Sequence, residues 1–373
     1  MVNTSSIITN NTMSGSTAIH LKGLNGIRAI AAFAAVFSHI RLLGEKFLSL
    51  PTSTGLELAE FGVTIFFALS GYLITYLLLI EKDSFDTINI KQFYVRRILR
   101  IWPLYYLYVL LALAYLLIYQ KEQLSWSFLW YIILCANIPY VALQAPVVII
   151  HFWSLGVEEQ YYLFWPWVIK VKKHLFILIT FIIMAMLGLK FLFWLYFLKT
   201  KNTFLLSLIH ITRFHCMAFG AIGAMLYYQQ RRLFRKVVFS WVAQAMSWGI
   251  MILVLFNRFH IAGVIDHEII AIVTVFLIVN VSANEKSFVK LESKILNYLG
   301  KISYGIYVYH PLIILLLAQL LGSVVSKAGL IYRYAIWYSL IPVCTVLVAS
   351  VSYFFYEMKF LDLKAKYTKV PSR

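Results

Sequence analysis

The feature that most constrains this chain is the recurrence of long apolar runs. Runs near the ~20 residues needed to cross ~30 Å of hydrocarbon occur at 26–43, 61–80, 98–119, 152–169, 174–198, 204–227, 234–256, 263–281, 300–320 and 331–356. A shorter eleventh run, 128–143, contains Asn137 and Pro139. Of the 373 residues, 62% are apolar and 13% charged, roughly half the charged share of a soluble domain. One globular core cannot hide that much apolar surface from water, so lipid is the natural solvent. In lipid an open chain satisfies its backbone only as helix. The expected fold class is all-α: a polytopic membrane helical bundle of about ten transmembrane helices with one short interfacial or re-entrant helix.

The net charge of +18 would suit nucleic acid if it formed a surface patch. Instead the cations fall between the spans, where Lys and Arg orient a chain toward the cytoplasm. The expected partner is the lipid bilayer, with no nucleic acid. If run 128–143 crosses, the basic loops at 82–100 and 170–173 lie on opposite sides of the membrane. If it does not, those loops join the basic segments 231–236, 286–301 and 359–373 on one side. This alignment favours ten crossings, both termini in the cytosol, and 128–143 on the outer face. The first twenty residues are rich in Ser, Thr and Asn and have no basic region leading into an apolar core, so they read as a flexible tail and not a cleaved signal. A membrane domain over 21–358 and a basic cytosolic tail over 359–373 complete the division. Cys135, Cys216 and Cys344 are far apart in apolar runs, a spacing that suits neither redox chemistry nor a metal, and no metal is expected.

Against this background the ionisable residues inside spans are the informative ones, because each costs ~2.5–3.5 kcal/mol at mid-bilayer and so faces a partner or a wet cavity. Arg28 and His39 in the first span are eleven residues apart. At ~100° per residue they share a face, roughly 16 Å apart along the axis. The alanines between them allow close helix approach. Arg97 and Arg100 share a face at the start of the third span, where they serve either as cytosolic anchors or as bidentate phosphate ligands. In the run from His151 to Tyr162, the adjacent Glu158 and Glu159 point ~100° apart. One of them is free to orient His39 or the acceptor while the other serves structure. His310, followed by the helix-kinking Pro311, is either a second cavity group or a packing histidine. Arg213 and His215 are weaker candidates, and Glu357 is expected to pair with a base at the membrane face.

These blocks, in order over residues 20–360, resemble the bacterial integral-membrane acyltransferase type 3 family, which includes O-acetyltransferases of lipopolysaccharide O-antigen, exopolysaccharide and Nod factors. Leu24 to Ala29 with His39 is similar to the family's Arg-x10-His block, and Phe66 to Leu73, with Ser70 and Gly71, to its Ser-Gly block. Phe93 to Pro103 is similar to the Arg-x-x-Arg block. Phe152 to Tyr161 is similar to the Trp-Ser-Leu-x-x-Glu-x-Gln block, and Ser303 to Pro311 and Tyr356-Glu357 to the late blocks. The family's Asp-Gly-Leu-Arg start is Asn25-Gly26-Ile27-Arg28 here. No fused esterase-like domain follows, so a stand-alone member is expected. The resemblance also implies ten spans with both ends inside.

What the resemblance implies about function is an O-acyltransferase of the bacterial inner membrane, moving an acyl group from cytosolic acyl-CoA to a hydroxyl of a surface polysaccharide or lipid-linked glycan. The donor is expected to be acetyl-CoA, the commonest in the family. Arg28, Arg97 and Arg100 would bind the coenzyme A phosphates. His39 would act as general base or become transiently acylated, with Glu158 and Glu159 in the catalytic set. Ser70, Trp153, Ser154, Tyr304 and His310 are candidates for the cavity or the oxyanion donors. The competing class is a secondary transporter that uses the same Arg, His and Glu as a substrate or proton path. The repeated halves common in transporters are absent from the sequence. A non-catalytic scaffold for glycan assembly is the third reading.

Overall fold

Each long apolar run folds as helix, and the polar residues flanking the runs decide where the helices start and stop. The computed structural model describes residues 21–51, 58–170, 174–263 and 265–368. The N-terminal tail, Lys172, Lys173 and the last five residues lie outside them. Helices α1 (Leu24–Leu42), α2 (Gly44–Phe47), α3 (Leu58–Phe85) and α4 (Ile90–Tyr119) lead into a segment with two short helices, α5 (Leu129–Ile132) and α6 (Asn137–Val141). Then follow α7 (Trp153–Lys170), α8 (Leu175–Thr200), α9 (Phe204–Thr212), α10 (Phe214–Tyr228), α11 (Arg232–Val238) and α12 (Trp241–Leu255). The chain ends in α13 (Asp266–Ala283), α14 (Lys294–Lys301), α15 (Ser303–Val325), α16 (Leu330–Ser352) and α17 (Met358–Ala365). No strand occurs among the described residues. The fold is an all-α polytopic bundle.

Among the described residues, seven helical stretches are long and apolar enough to cross a membrane, or eight if α11 and α12, bent by 56°, count as one span. The remaining two expected spans are α1, of 19 residues, and α7, of 18. They carry Arg28 with His39 and Glu158 with Glu159, so the helices that fall short in apolar character are the ones bearing the candidate chemistry. α3 is the central helix, with 72% of its apolar window buried, whereas α8 is peripheral, with 17% buried.

Several boundaries differ from the apolar windows. α4 starts at Ile90, because Asn89 caps it by accepting from the Gln92 N–H at 3.0 Å. Arg97 and Arg100 therefore sit inside the helix and not at its first residues. The run at 204–227 breaks at Arg213, which holds a left-handed φ of 35°. The run at 234–256 joins two helices across Phe239 and Ser240, where Ser240 caps α12. Hydropathy averages over such breaks, because the residues on both sides stay apolar.

Close packing of α3 on α10 sets the centre of the bundle. A Cβ on Gly71 would lie 1.9 Å from the Met217 carbonyl oxygen, and one on Gly220 would lie 2.1 Å from that of Ala68. The two backbones touch, as small residues permit between membrane helices. Gly300 and Asn25 meet in the same way: a Cβ at 300 would lie 2.2 Å from the Asn25 oxygen, which seats the start of α1 against α14.

Residues 120–152 make no helix of membrane length: α5 has 4 residues and α6 has 5. Tyr131, Asn137, Val148 and Ile149 are nonetheless buried. An irregular backbone inside a bundle needs partners for its carbonyls, and α4 supplies them. Tyr105 donates to the Tyr131 oxygen at 2.8 Å and Tyr108 to the Val148 oxygen at 2.7 Å.

Candidate active site

Arg28, Arg97 and Arg100 come from two helices and line one pocket. Ser70 of α3, Ser154, Glu158 and Tyr162 of α7, and Ser303, Tyr304 and Tyr307 of α15 complete its polar wall. It holds ≈ 840 Å³ of empty space, counting the open space at its mouth. Three guanidinium groups face one carboxylate, so the pocket suits an anion. Asn25, which stands where the family pattern has an acid, accepts from Arg28 Nη1 at 3.1 Å through its amide oxygen. Arg97 packs on two rings, with its guanidinium carbon 5.6 Å from the Phe93 centroid and 5.2 Å from that of Tyr162. Such face contacts hold the guanidinium plane and leave its N–H edge to a ligand.

The two carboxylates diverge as neighbours on a helix must. Glu158 Oε1 accepts from Ser70 at 2.5 Å in the pocket wall. Glu159 turns toward α4 and accepts from the Trp102 indole at 2.8 Å. The hydroxyls are already engaged. Tyr304 donates to the Ile101 oxygen at 2.9 Å, so both it and Ser70 must exchange partners to serve an oxyanion. Ser154 and Tyr307 share a 2.6 Å hydrogen bond. Trp153 does not line this pocket but packs behind its Phe67 wall, with ring centroids 6.2 Å apart. Glu357 accepts from Ser352 at 3.1 Å.

His39 is not in the pocket lining. It belongs to a cluster of three imidazoles at the pocket's Tyr307 wall, with ring centroids 4.7 Å from His310 and 6.3 Å from His151. His151 and His310 are 5.2 Å apart, and Tyr307 lies 5.5 Å from His151. One nitrogen of each ring faces a backbone carbonyl: His39 Nδ1 that of Ala35 at 2.9 Å, His151 Nε2 that of Val308 at 3.1 Å, and His310 Nδ1 that of Ile306 at 3.3 Å. A carbonyl only accepts, so each of these nitrogens carries the hydrogen. In the neutral ring the opposite nitrogen, Nε2 in His39, keeps a lone pair. His151, Tyr162 and Tyr307 were not singled out from the sequence. Helical spacing marks the tyrosines, since 154, 158 and 162 form one i, i+4 row and 303 and 307 another.

The other end of the bundle holds a second polar cluster, where the breaks around α9 and α10 and the starts of α3 and α13 meet. Arg213 Nη2 bonds Glu60 at 3.0 Å, and Nη1 lies 3.1 Å from His267 Nδ1. Lys190 bonds Glu268 at 2.8 Å, with His215 3.0 Å from the same oxygen. Glu60, His210 and His267 bring donor atoms within 4.8 Å of one another, a spacing that would suit a metal. The Arg213 guanidinium already bonds the Glu60 carboxylate and faces His267 Nδ1.

A membrane-type helical bundle that encloses three arginines beside a histidine cluster defines the class: a membrane protein with a cationic interior pocket next to basic nitrogens. Residues 21–357 match the acyltransferase domain family, and the chain belongs to that family, the acyltransferase type 3 enzymes of the resemblance above. Among its relatives is O-acetyltransferase OatA of Staphylococcus aureus, 28% identical over 374 residues in strain NCTC 8325 / PS 47 and also in strain COL. Each alignment covers 91% of this chain and 57% of the relative, so the chain spans little more than half the length of these proteins. No solved structure matches.

Proposed function

We propose that this enzyme is an inner-membrane O-acyltransferase that moves an acyl group, acetyl foremost, from cytosolic acyl-CoA to a hydroxyl of a surface polysaccharide or lipid-linked glycan. The observation that carries the reading is the convergence of Arg28, Arg97 and Arg100 on one pocket, beside the histidine cluster at its Tyr307 wall. Coenzyme A is a polyanion with a thin pantetheine arm. The arginines would take its phosphates by charge-assisted, bidentate bonds, leaving the arm to carry the thioester toward His39. The basic loops near the arginines support a cytosolic mouth and cytosolic termini.

In this reading His39 Nε2 accepts the proton of the glycan hydroxyl. The alkoxide oxygen attacks the thioester carbon, the C–O bond forms and the C–S bond breaks. The proton held on His39 passes to the departing sulfur, so that free coenzyme A and an O-acyl glycan leave. Glu158 fixes Ser70 in the pocket wall, and Glu159 ties α7 to α4 through Trp102. His151 and His310 flank the base and keep it among apolar and imidazole surfaces.

Deleting the gene and comparing surface glycans by mass spectrometry tests the reading. The expected result is loss of one class of O-acyl group, restored by the unaltered gene and not by His39→Ala protein present at normal level in the membrane. Unchanged acylation in the deletion strain overturns it.

A further inference from the structure

A second cavity, with ≈ 930 Å³ of empty space counting the open space at its mouth, opens among α6, α8 and α9 and is lined by Tyr140, Lys190, Trp194, Ser207, His210 and Gly263. Chain order places it at the opposite end of the bundle from the arginines: α4 starts at the arginine end and leads into α6, and α8 leads outward into α9. We propose that this cavity seats the acceptor, as an uncharged, hydroxyl-rich sugar unit, so that the donor and acceptor enter from opposite ends; the inference rests on the acyl-transfer reading above.

Charge balance selects the class of ligand. The cations at the floor of this cavity are matched by carboxylates: Lys190 with Glu268 at 2.8 Å, and Arg213, behind His210, with Glu60 at 3.0 Å. A neutral ligand therefore fits here, whereas the arginine pocket suits an anion. The lining also has the chemistry of sugar recognition. Tyr140 and Trp194 offer aromatic faces for C–H surfaces, while Ser207 and His210 offer hydrogen-bonding groups for hydroxyls. A mostly apolar wall with a few placed polar groups is the usual makeup of such a site.

The four residues from His151 to Ser154 join this cavity to the reaction centre. Trp153 stands between the two pockets, 5.4 Å from Tyr140 of the second and 6.2 Å from Phe67 of the first. The next residue, Ser154, lines the arginine pocket, and His151, two residues earlier, lies 6.3 Å from His39. The Arg213 guanidinium carbon, 5.8 Å from the Trp153 ring centroid, braces the partition. A sugar seated against Tyr140 is thus one side chain away from the donor pocket.

The test uses full-length purified protein, radiolabelled acetyl-CoA as donor, and surface glycan extracted from the deletion strain as acceptor. Trp194→Ala and Ser207→Ala are expected to raise the KM for glycan by about tenfold, a loss of ~1.4 kcal/mol of binding, with the KM for acetyl-CoA unchanged. Gly263→Phe is the second variant. A Cβ at Gly263 meets nothing within 4 Å, so a bulky side chain can be added at this lining position, and the same change in glycan KM is expected. If the unaltered enzyme acetylates glycan and all three variants keep its glycan KM, the assignment of the cavity is wrong and the transfer reading stands. A change in acetyl-CoA KM alone likewise overturns the assignment. If the unaltered enzyme acetylates no glycan, the transfer reading fails and this inference falls with it.

Discussion

Arg97 shows how one side chain can be both packed and available. Its guanidinium lies between Phe93 and Tyr162, which fixes a plane that an ammonium group cannot reproduce. Arg97→Lys is therefore expected to raise the KM for acetyl-CoA nearly as much as Arg97→Ala, by about tenfold, with kcat changed far less; steady-state kinetics at saturating glycan check this. Much at this scale was legible in the sequence. The i, i+3 spacing put Arg97 and Arg100 on one face, and they share one pocket with Arg28. The 100° step between Glu158 and Glu159 appears as two different partners, Ser70 and Trp102. What escaped was pairing between helices distant in sequence. Nothing local in the sequence says that His151 and His310 flank His39, because α15 and the segment before α7 meet only in the fold.

At the scale of elements, glycine decides how closely the helices pack. Gly71→Val would drive a side chain into the Met217 carbonyl, 1.9 Å from the Cβ position, and overpacking of this kind costs about 1–3 kcal/mol. The detergent-solubilised variant is expected to unfold at a lower temperature than the parent. Gly188 in α8 is the control. A Cβ there meets nothing within 4 Å, so Gly188→Ala is expected to hold or raise the midpoint through helix propensity alone, worth up to ~1 kcal/mol. The long spans were legible because twenty apolar residues have one structural outcome in lipid. The breaks at Arg213 and at Phe239–Ser240 were not, since a single left-handed residue or a serine cap leaves hydropathy almost unchanged. Residues 120–152 fold as short turns because the α4 tyrosines take up their carbonyls, which is information held in another helix.

Across the whole molecule, a cationic pocket and a charge-balanced cavity lie at opposite ends of one bundle, with Trp153 between them. Among the described residues, seven or eight stretches are apolar enough to cross by composition, and the more polar α1 and α7 stand where the charge pattern led us to expect the other two. These two helices can carry Arg28, His39, Glu158 and Glu159 because their neighbours shield them from lipid. In the proposed reading the arrangement separates binding from chemistry: arginines for the donor, an imidazole for the proton. The measurement that tests this most directly is acetyl transfer by purified His39→Ala protein, followed beside its binding of acetyl-CoA. A general base contributes about 10²–10⁴-fold, so transfer should fall by at least about a hundredfold while acetyl-CoA still raises the unfolding temperature as it does for the parent. Transfer at the parental rate by a folded His39→Ala protein would contradict the account.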